Sequence, residues 1–219
     1  INHGIFTFDD DPKQSYKLMI KYVSMAEKIL KGFKKKKIGQ INHIPKYLKP
    51  GEISPILRGM LSDNKKIKFI VNFRSNQIIK YFNNGKNLKK YSDFKMATPD
   101  HVIRIKPFPL IIETNKIETI QEFKKLAVKR FIQYRKKYKN YFQTYQKKSD
   151  EKKFILDTSP RLIFVKNVGL FSVGESYESS IIAGDLAETN AKVITSVEET
   201  STYKFISKKD LFDIEYWSL

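Results

Sequence analysis

The chain has no cysteine. That excludes a disulfide framework, a zinc–thiolate site and a cysteine nucleophile, so any metal must be held by His, Asp or Glu. Histidine is scarce as well: His3, His43 and His101 are the only three in 219 residues. No apolar run reaches the roughly 18 residues of a membrane span, and the N-terminus lacks the order of a signal peptide. The expectation is a soluble, cytoplasmic protein with no membrane partner. The first residue is Ile, not Met, and the sequence opens inside a motif, which reads as part of a longer polypeptide.

Arginine is the next shortage. The net charge is +19, but it is carried by 36 lysines against six arginines, spread along the chain. Nucleic-acid readers lean on arginine for bidentate contacts, whereas lysine with abundant Asn, Ile, Phe and Tyr fits a bias towards AT-rich codons. No nucleic-acid partner is expected. What is present is 41% hydrophobic residues with 13% aromatics, enough for one large or two small domains with proper cores.

One heptapeptide recurs. Asn2-His3-Gly4-Ile5-Phe6-Thr7-Phe8 returns as Asn167-Val168-Gly169-Leu170-Phe171-Ser172-Val173, with histidine replaced by valine. A repeated strand-to-helix unit follows, of which only the first copy carries a side chain able to bind a metal or move a proton. After the first copy, Asp9-Asp10-Asp11-Pro12 signals a helix start. Tyr16, Met19, Ile20, Val23, Ala26, Leu30 and Phe33 then fall on one face, predicting an amphipathic helix to Gly32 or Phe33.

Gly39, Pro45, Pro50 and Gly51 mark residues 38–52 as a connector, followed by a short helix over 56–61 after the Ser54-Pro55 cap signal. A strand is expected over 67–73, a helix over 75–82 and a strand over 108–113. The polar segment 96–106 is read as lying near strand ends. A long helix over 118–145 carries Ile120, Phe123, Ala127, Phe131, Tyr134, Tyr138, Tyr141 and Tyr145 on one face and eight cations on the others, the latter read as solvated. Strands over 161–166 and 170–173 and a helix from Ser176 to about Val197 complete the pattern.

Gly169 to Ser176 has the glycine and serine spacing of a phosphate-binding loop. Glu175 stands where that loop needs lysine, and a carboxylate there would repel the phosphates. Bulky Leu170, Phe171 and Val173 read as strand residues, so no such loop is expected. No GxGxxG dinucleotide fingerprint occurs either.

The His-Gly heptapeptide with its acidic helix start resembles the class II aldolase and adducin family. Leu57-Arg58-Gly59, Thr98-Pro99-Asp100-His101, Asn167 to Phe171 and Phe212-Asp213-Ile214-Glu215-Tyr216-Trp217 extend the resemblance over almost the whole chain. They are similar to the aldolase-like region of bifunctional rhamnulose-1-phosphate aldolase/short-chain dehydrogenase proteins. Asp9 departs from the pattern, standing where the family usually has glycine.

The resemblance implies an α/β fold with a central mixed, largely antiparallel sheet flanked by helices. Residues 1–48 would be the last strand and helix of a preceding aldolase-like module, packed on the rest through Tyr16, Val23 and Leu30. Residues 52–219 would be a second, non-catalytic module. The implied reaction is retro-aldol cleavage of a sugar phosphate to dihydroxyacetone phosphate and an aldehyde, with zinc as Lewis acid. His3 would be the third imidazole ligand, the other two and the acid/base carboxylate lying upstream. NAD(P) would belong to a dehydrogenase domain outside this chain, and the parent could form a homo-oligomer. The alternative is a catalytically silent, adducin-like scaffold. His101, Arg104 and Lys106 are the candidates for holding a substrate anion, with surface ion pairing or a structural histidine the competing readings.

Overall fold

The computed structural model describes residues 4–41, 45, 48–62, 67–115, 117–149 and 151–217; His3 and His43 lie outside the described residues. In chain order the elements are α1 (Pro12–Lys31), α2 (Pro50–Leu61), β1 (Ile70–Arg74), α3 (Gln77–Asn83), α4 (Leu88–Ser92) and α5 (His101–Ile105). They continue as β2 (Leu110–Ile112), α6 (Ile120–Gln146), β3 (Leu162–Val165), β4 (Gly169–Gly174), α7 (Tyr177–Thr200) and α8 (Lys208–Glu215).

The four strands form one sheet in the order β1-β4-β3-β2. β4 runs antiparallel to β1 and β3, while β2 is parallel to β3. This is the α/β architecture with a mixed, largely antiparallel sheet. Both central strands are buried at every position, because α7 packs on β4 and β1, and α6 on β2. A strand covered on both faces reads as a continuous apolar run rather than an alternation, as Leu162-Ile163-Phe164-Val165 does. The β4 run rules out the phosphate-loop geometry directly. Gly174 instead ends the strand where a Cβ would lie 2.2 Å from Ser179 Oγ and 2.3 Å from Ser180 N. Ser176 and Ser179 there form the reciprocal cap of α7.

The two heptapeptides share the positive φ of their glycines, +114° at Gly4 and +156° at Gly169. They differ in burial. Val168 is 1% exposed and belongs to the core, so the second copy uses the position for packing, whereas Phe6 and Phe8 of the first copy are exposed.

Helix α1 starts as its sequence predicts, with Asp11 Oδ1 accepting from Lys13 N at 2.9 Å and Pro12 in the first turn. Its apolar stripe, expected to pack on the rest of the chain, does not: Tyr16 is 67%, Val23 43% and Leu30 50% exposed. The attachment is made instead by the segment after it. Lys36 N donates to Glu199 O at 2.7 Å, Ile38 N donates to Tyr81 Oη at 3.2 Å, and Tyr81 Oη donates to Glu199 Oε1 at 2.8 Å.

Helix α2 begins at Pro50 and carries Pro55 inside it, earlier than the Ser54-Pro55 signal suggests. Pro50 occupies the first turn, where its missing N–H is no loss. Pro55 forfeits one intrahelical bond, while Ser54 Oγ donates back to Pro50 O at 2.8 Å. Fully buried Ile53 and Leu57 tie the helix to the core. Segment 96–106 also differs from expectation: it contains the short helix α5 and no strand end.

Candidate functional site

His101 opens α5, with Nδ1 3.1 Å from Asn190 Oδ1 on α7. That oxygen already accepts from Ala97 N at 2.6 Å and has no proton to give, so His101 Nδ1 is the donor of this contact. Arg104, one turn on, is exposed. Lys106 is 4% exposed. It sits at φ 60°, a conformation uncommon outside glycine, where the chain leaves the helix. Its ammonium donates to Asp157 O at 2.6 Å, lies 4.0 Å from Asp157 Oδ2 and stands 4.0 Å above the Tyr138 ring. The three residues expected to share an anion therefore have three different environments: an amide on α7, solvent, and the backbone carbonyl and half-buried carboxylate of Asp157.

Around Lys106 the fold builds a buried polar network. α6 places Tyr134, Tyr138 and Tyr141 on its core face at helical spacing. α8, capped by Ser207 accepting from Asp210 N, brings in Phe212, Glu215 and Tyr216. Tyr138 Oη donates to Glu215 Oε1 at 2.7 Å and lies 2.9 Å from Tyr216 Oη. Leu156 N donates to Tyr216 Oη at 3.4 Å. Arg161 grips both oxygens of Asp157, at 3.1 and 2.6 Å. The Phe212 and Tyr216 rings stack at 4.7 Å, and Tyr141 meets Phe212 edge-on at 5.7 Å.

Burial governs the ionisation of this network. It raises the Glu215 carboxyl to about 7, against the pull of Lys106 and the tyrosine hydroxyls. It lowers the Lys106 ammonium to about 8, against the attraction of Asp157 and Glu215. Burial and the Glu215 charge together raise Tyr138, Tyr141 and Tyr216. Burial also pushes Asp157 up, but Arg161 and Lys106 outweigh it and leave the carboxyl below its ordinary value. Glu215 Oε2 and Tyr141 Oη are both buried without a formed hydrogen bond.

Groups with such shifts often mark a catalytic centre. Here the reacting atoms are enclosed: Lys106, Tyr138, Glu215 and Tyr216 are all within the core. What the arrangement does chemically is hold α8 against α6 and the 156–161 segment. Within the family-like ending, Phe212, Glu215 and Tyr216 thus form a docking element, while Trp217 is exposed. A second interior ion pair, Lys95 with Glu198 at 3.3 Å, ties the approach to α5 to the end of α7, and Tyr203 N donates to the same carboxylate at 3.1 Å.

Among the described residues the donor set does not fit zinc: no three His, Asp or Glu side chains come together, and His101, the one described imidazole, is paired with an amide. Sequence reasoning missed Tyr138, Asp157 and Glu215 as a unit; the available signal was an acid and a tyrosine, Glu215-Tyr216, following Phe212 in a short amphipathic helix.

A model of the family described as "Aldolase class II, second domain" matches residues 49–219. The chain is 25% identical over 228 residues to the Bacillus subtilis (strain 168) protein named "Uncharacterized oxidoreductase YuxG", an alignment covering 99% of this chain and 32% of that protein. The chain thus spans about a third of that relative's length. No solved structure matches.

Proposed function

The chain belongs to the class II aldolase family through that family's second domain, and from this premise we propose that residues 49–219 form a non-catalytic module of a zinc-dependent sugar-phosphate aldolase. The observation that carries this reading is the pairing of a second-domain match with an interior whose titratable groups are spent on packing. Tyr138 donates to Glu215 and the Lys106 ammonium donates to Asp157 O, leaving no converging donors for a catalytic metal among the described residues.

The reaction we assign to the parent polypeptide is cleavage of a ketose 1-phosphate of the rhamnulose 1-phosphate type into dihydroxyacetone phosphate and an aldehyde. His3 is the one residue of this chain assigned to the zinc, on the strength of its His-Gly motif. A relative called an oxidoreductase, about three times as long as this chain, supports a parent that also carries an oxidoreductase domain, which we assign to the NAD(P)-dependent short-chain dehydrogenase type. The sealed network also favours a second reading, a silent adducin-like scaffold. A His-x-His motif upstream of residue 1 separates the two: the enzyme requires it and the scaffold does not.

The test is dihydroxyacetone phosphate release from rhamnulose 1-phosphate by the full-length protein, beside its His3→Ala variant. Cleavage by the parent and its loss on substitution are expected. Full turnover after His3→Ala would overturn the assignment of that residue, and a parent with no cleavage would leave the scaffold reading in its place.

A further inference from the structure

Helices α2 and α6 leave a groove of about 640 Å³ between them on the outside of the molecule. Its walls are Ile56, Gly59 and Met60 from α2 and Val128, Phe131 and Ile132 from α6. On the α6 wall Val128 is 40% and Ile132 60% exposed, while Phe131, from the core-facing stripe, lines the groove at 5% exposed. A groove lined by apolar stripes of two helices is the form that receives a third, amphipathic helix.

The charges select its occupant. Lys124 and Arg135 bracket the apolar stretch along α6 and line the groove, and Lys125, Lys129 and Lys136 stand exposed beside them. The groove lining contains no carboxylate. Among the described residues, none of these five cations is ion-paired, although Arg135 Nε donates to Thr158 Oγ1 at 3.0 Å. Glu122, the nearest acid on α6, is engaged by the backbone N–H groups of Glu118 and Thr119 and is also attracted to Lys125. A second copy placed face to face would set cation against cation, and α1, whose exposed stripe is flanked by Lys13, Lys17, Lys21, Lys28 and Lys31, would bring further positive charge.

We propose that the α2–α6 groove is a docking site for an acidic amphipathic helix of a partner polypeptide, its apolar stripe seated on Val128, Phe131 and Ile132 and its carboxylates on Lys124 and Arg135. Opposite charges across such a rim steer encounter and fix orientation, and salt screens them.

Gly59 gives a clean test, because a Cβ there meets nothing within 4 Å. Gly59→Leu fills the groove from outside and replaces a helix glycine with a better helix former. The probe is a fluorescein-labelled 18-residue helical peptide with leucines on one face and glutamates on the other, titrated against the full chain by anisotropy. Its counterpart carries lysine for every glutamate.

Saturable binding of the glutamate peptide is expected, weakened at least tenfold by the lysine exchange, by Gly59→Leu and by Ile132→Asp, with circular dichroism and thermal midpoint retained. Equal binding of the two peptides, no binding, or binding indifferent to both variants would overturn the proposal. So would a dimer in sedimentation velocity, or binding to phosphatidylserine vesicles, that Gly59→Leu abolishes. Those results would assign the groove to a second copy or to a lipid surface.

Discussion

At the scale of single residues, the buried Glu215–Lys106 network makes a pH prediction of unusual sign. The Glu215 carboxyl is raised from 4.5 to about 7, so between those values the folded chain binds a proton that the unfolded chain has lost, and stability falls as pH rises through the window. The Lys106 ammonium is lowered from 10.5 to about 8; between 8 and 10.5 the unfolded chain holds the extra proton, and stability rises with pH. The two together place a shallow minimum at pH 7–8. Urea midpoints against pH should show it. Glu215→Gln, which keeps an acceptor for Tyr138 Oη, should flatten the acid limb and extend the alkaline one to lower pH, because the charge that helps hold the Lys106 ammonium up is gone; an unchanged acid limb would refute the assignment. None of this was legible in the sequence. Glu215 in a short helix with Lys208, Asp210 and Asp213 looks like one more solvated charge, and only the approach of α6 buries it. His101 was visible as a candidate, but its partner Asn190, 89 residues away, was not.

Among the elements, what was legible follows from length and periodicity. α1, α6 and α7 each run for five turns or more with an apolar stripe, so their faces average out local ambiguity. α6 and α7 were bounded to within a few residues, and the Asp11-Pro12 and Ser176 caps were placed correctly. α4, α5 and α8 span eight residues or fewer, too short for a stripe to declare itself. The turn from β4 into α7 shows what local sequence cannot say: Gly174 reads there as one small residue among several, yet the backbone of Ser180 passes where its Cβ would be. Gly174→Ala should therefore cost about 2 kcal/mol or more of unfolding free energy, as overpacking against backbone does, measured by urea denaturation. A neutral effect would mean that the strand-to-helix turn relaxes freely. The exposed Gly59→Leu serves as the contrast, since no atom opposes it.

For the whole molecule, the class of fold and its sheet were legible from the resemblance, and the four strands from their apolar runs. The relation of α1 to the rest was not. An amphipathic stripe declares that a helix seeks a partner surface, not which one, and here the chain holds the helix through residues 36–39 without covering its stripe. Deleting residues 1–33 should accordingly lower the thermal midpoint of the remainder by less than about 3 °C, under about 1 kcal/mol; a larger loss would place α1 in the core after all. In the proposed division of labour, residue 3 contributes to a metal site and residues 49–219 support it. Zinc content of the full-length protein, measured side by side for His3→Ala and His101→Ala, addresses it most directly. His3→Ala should lose zinc while His101→Ala retains it. Zinc lost with His101 and kept without His3 would contradict it.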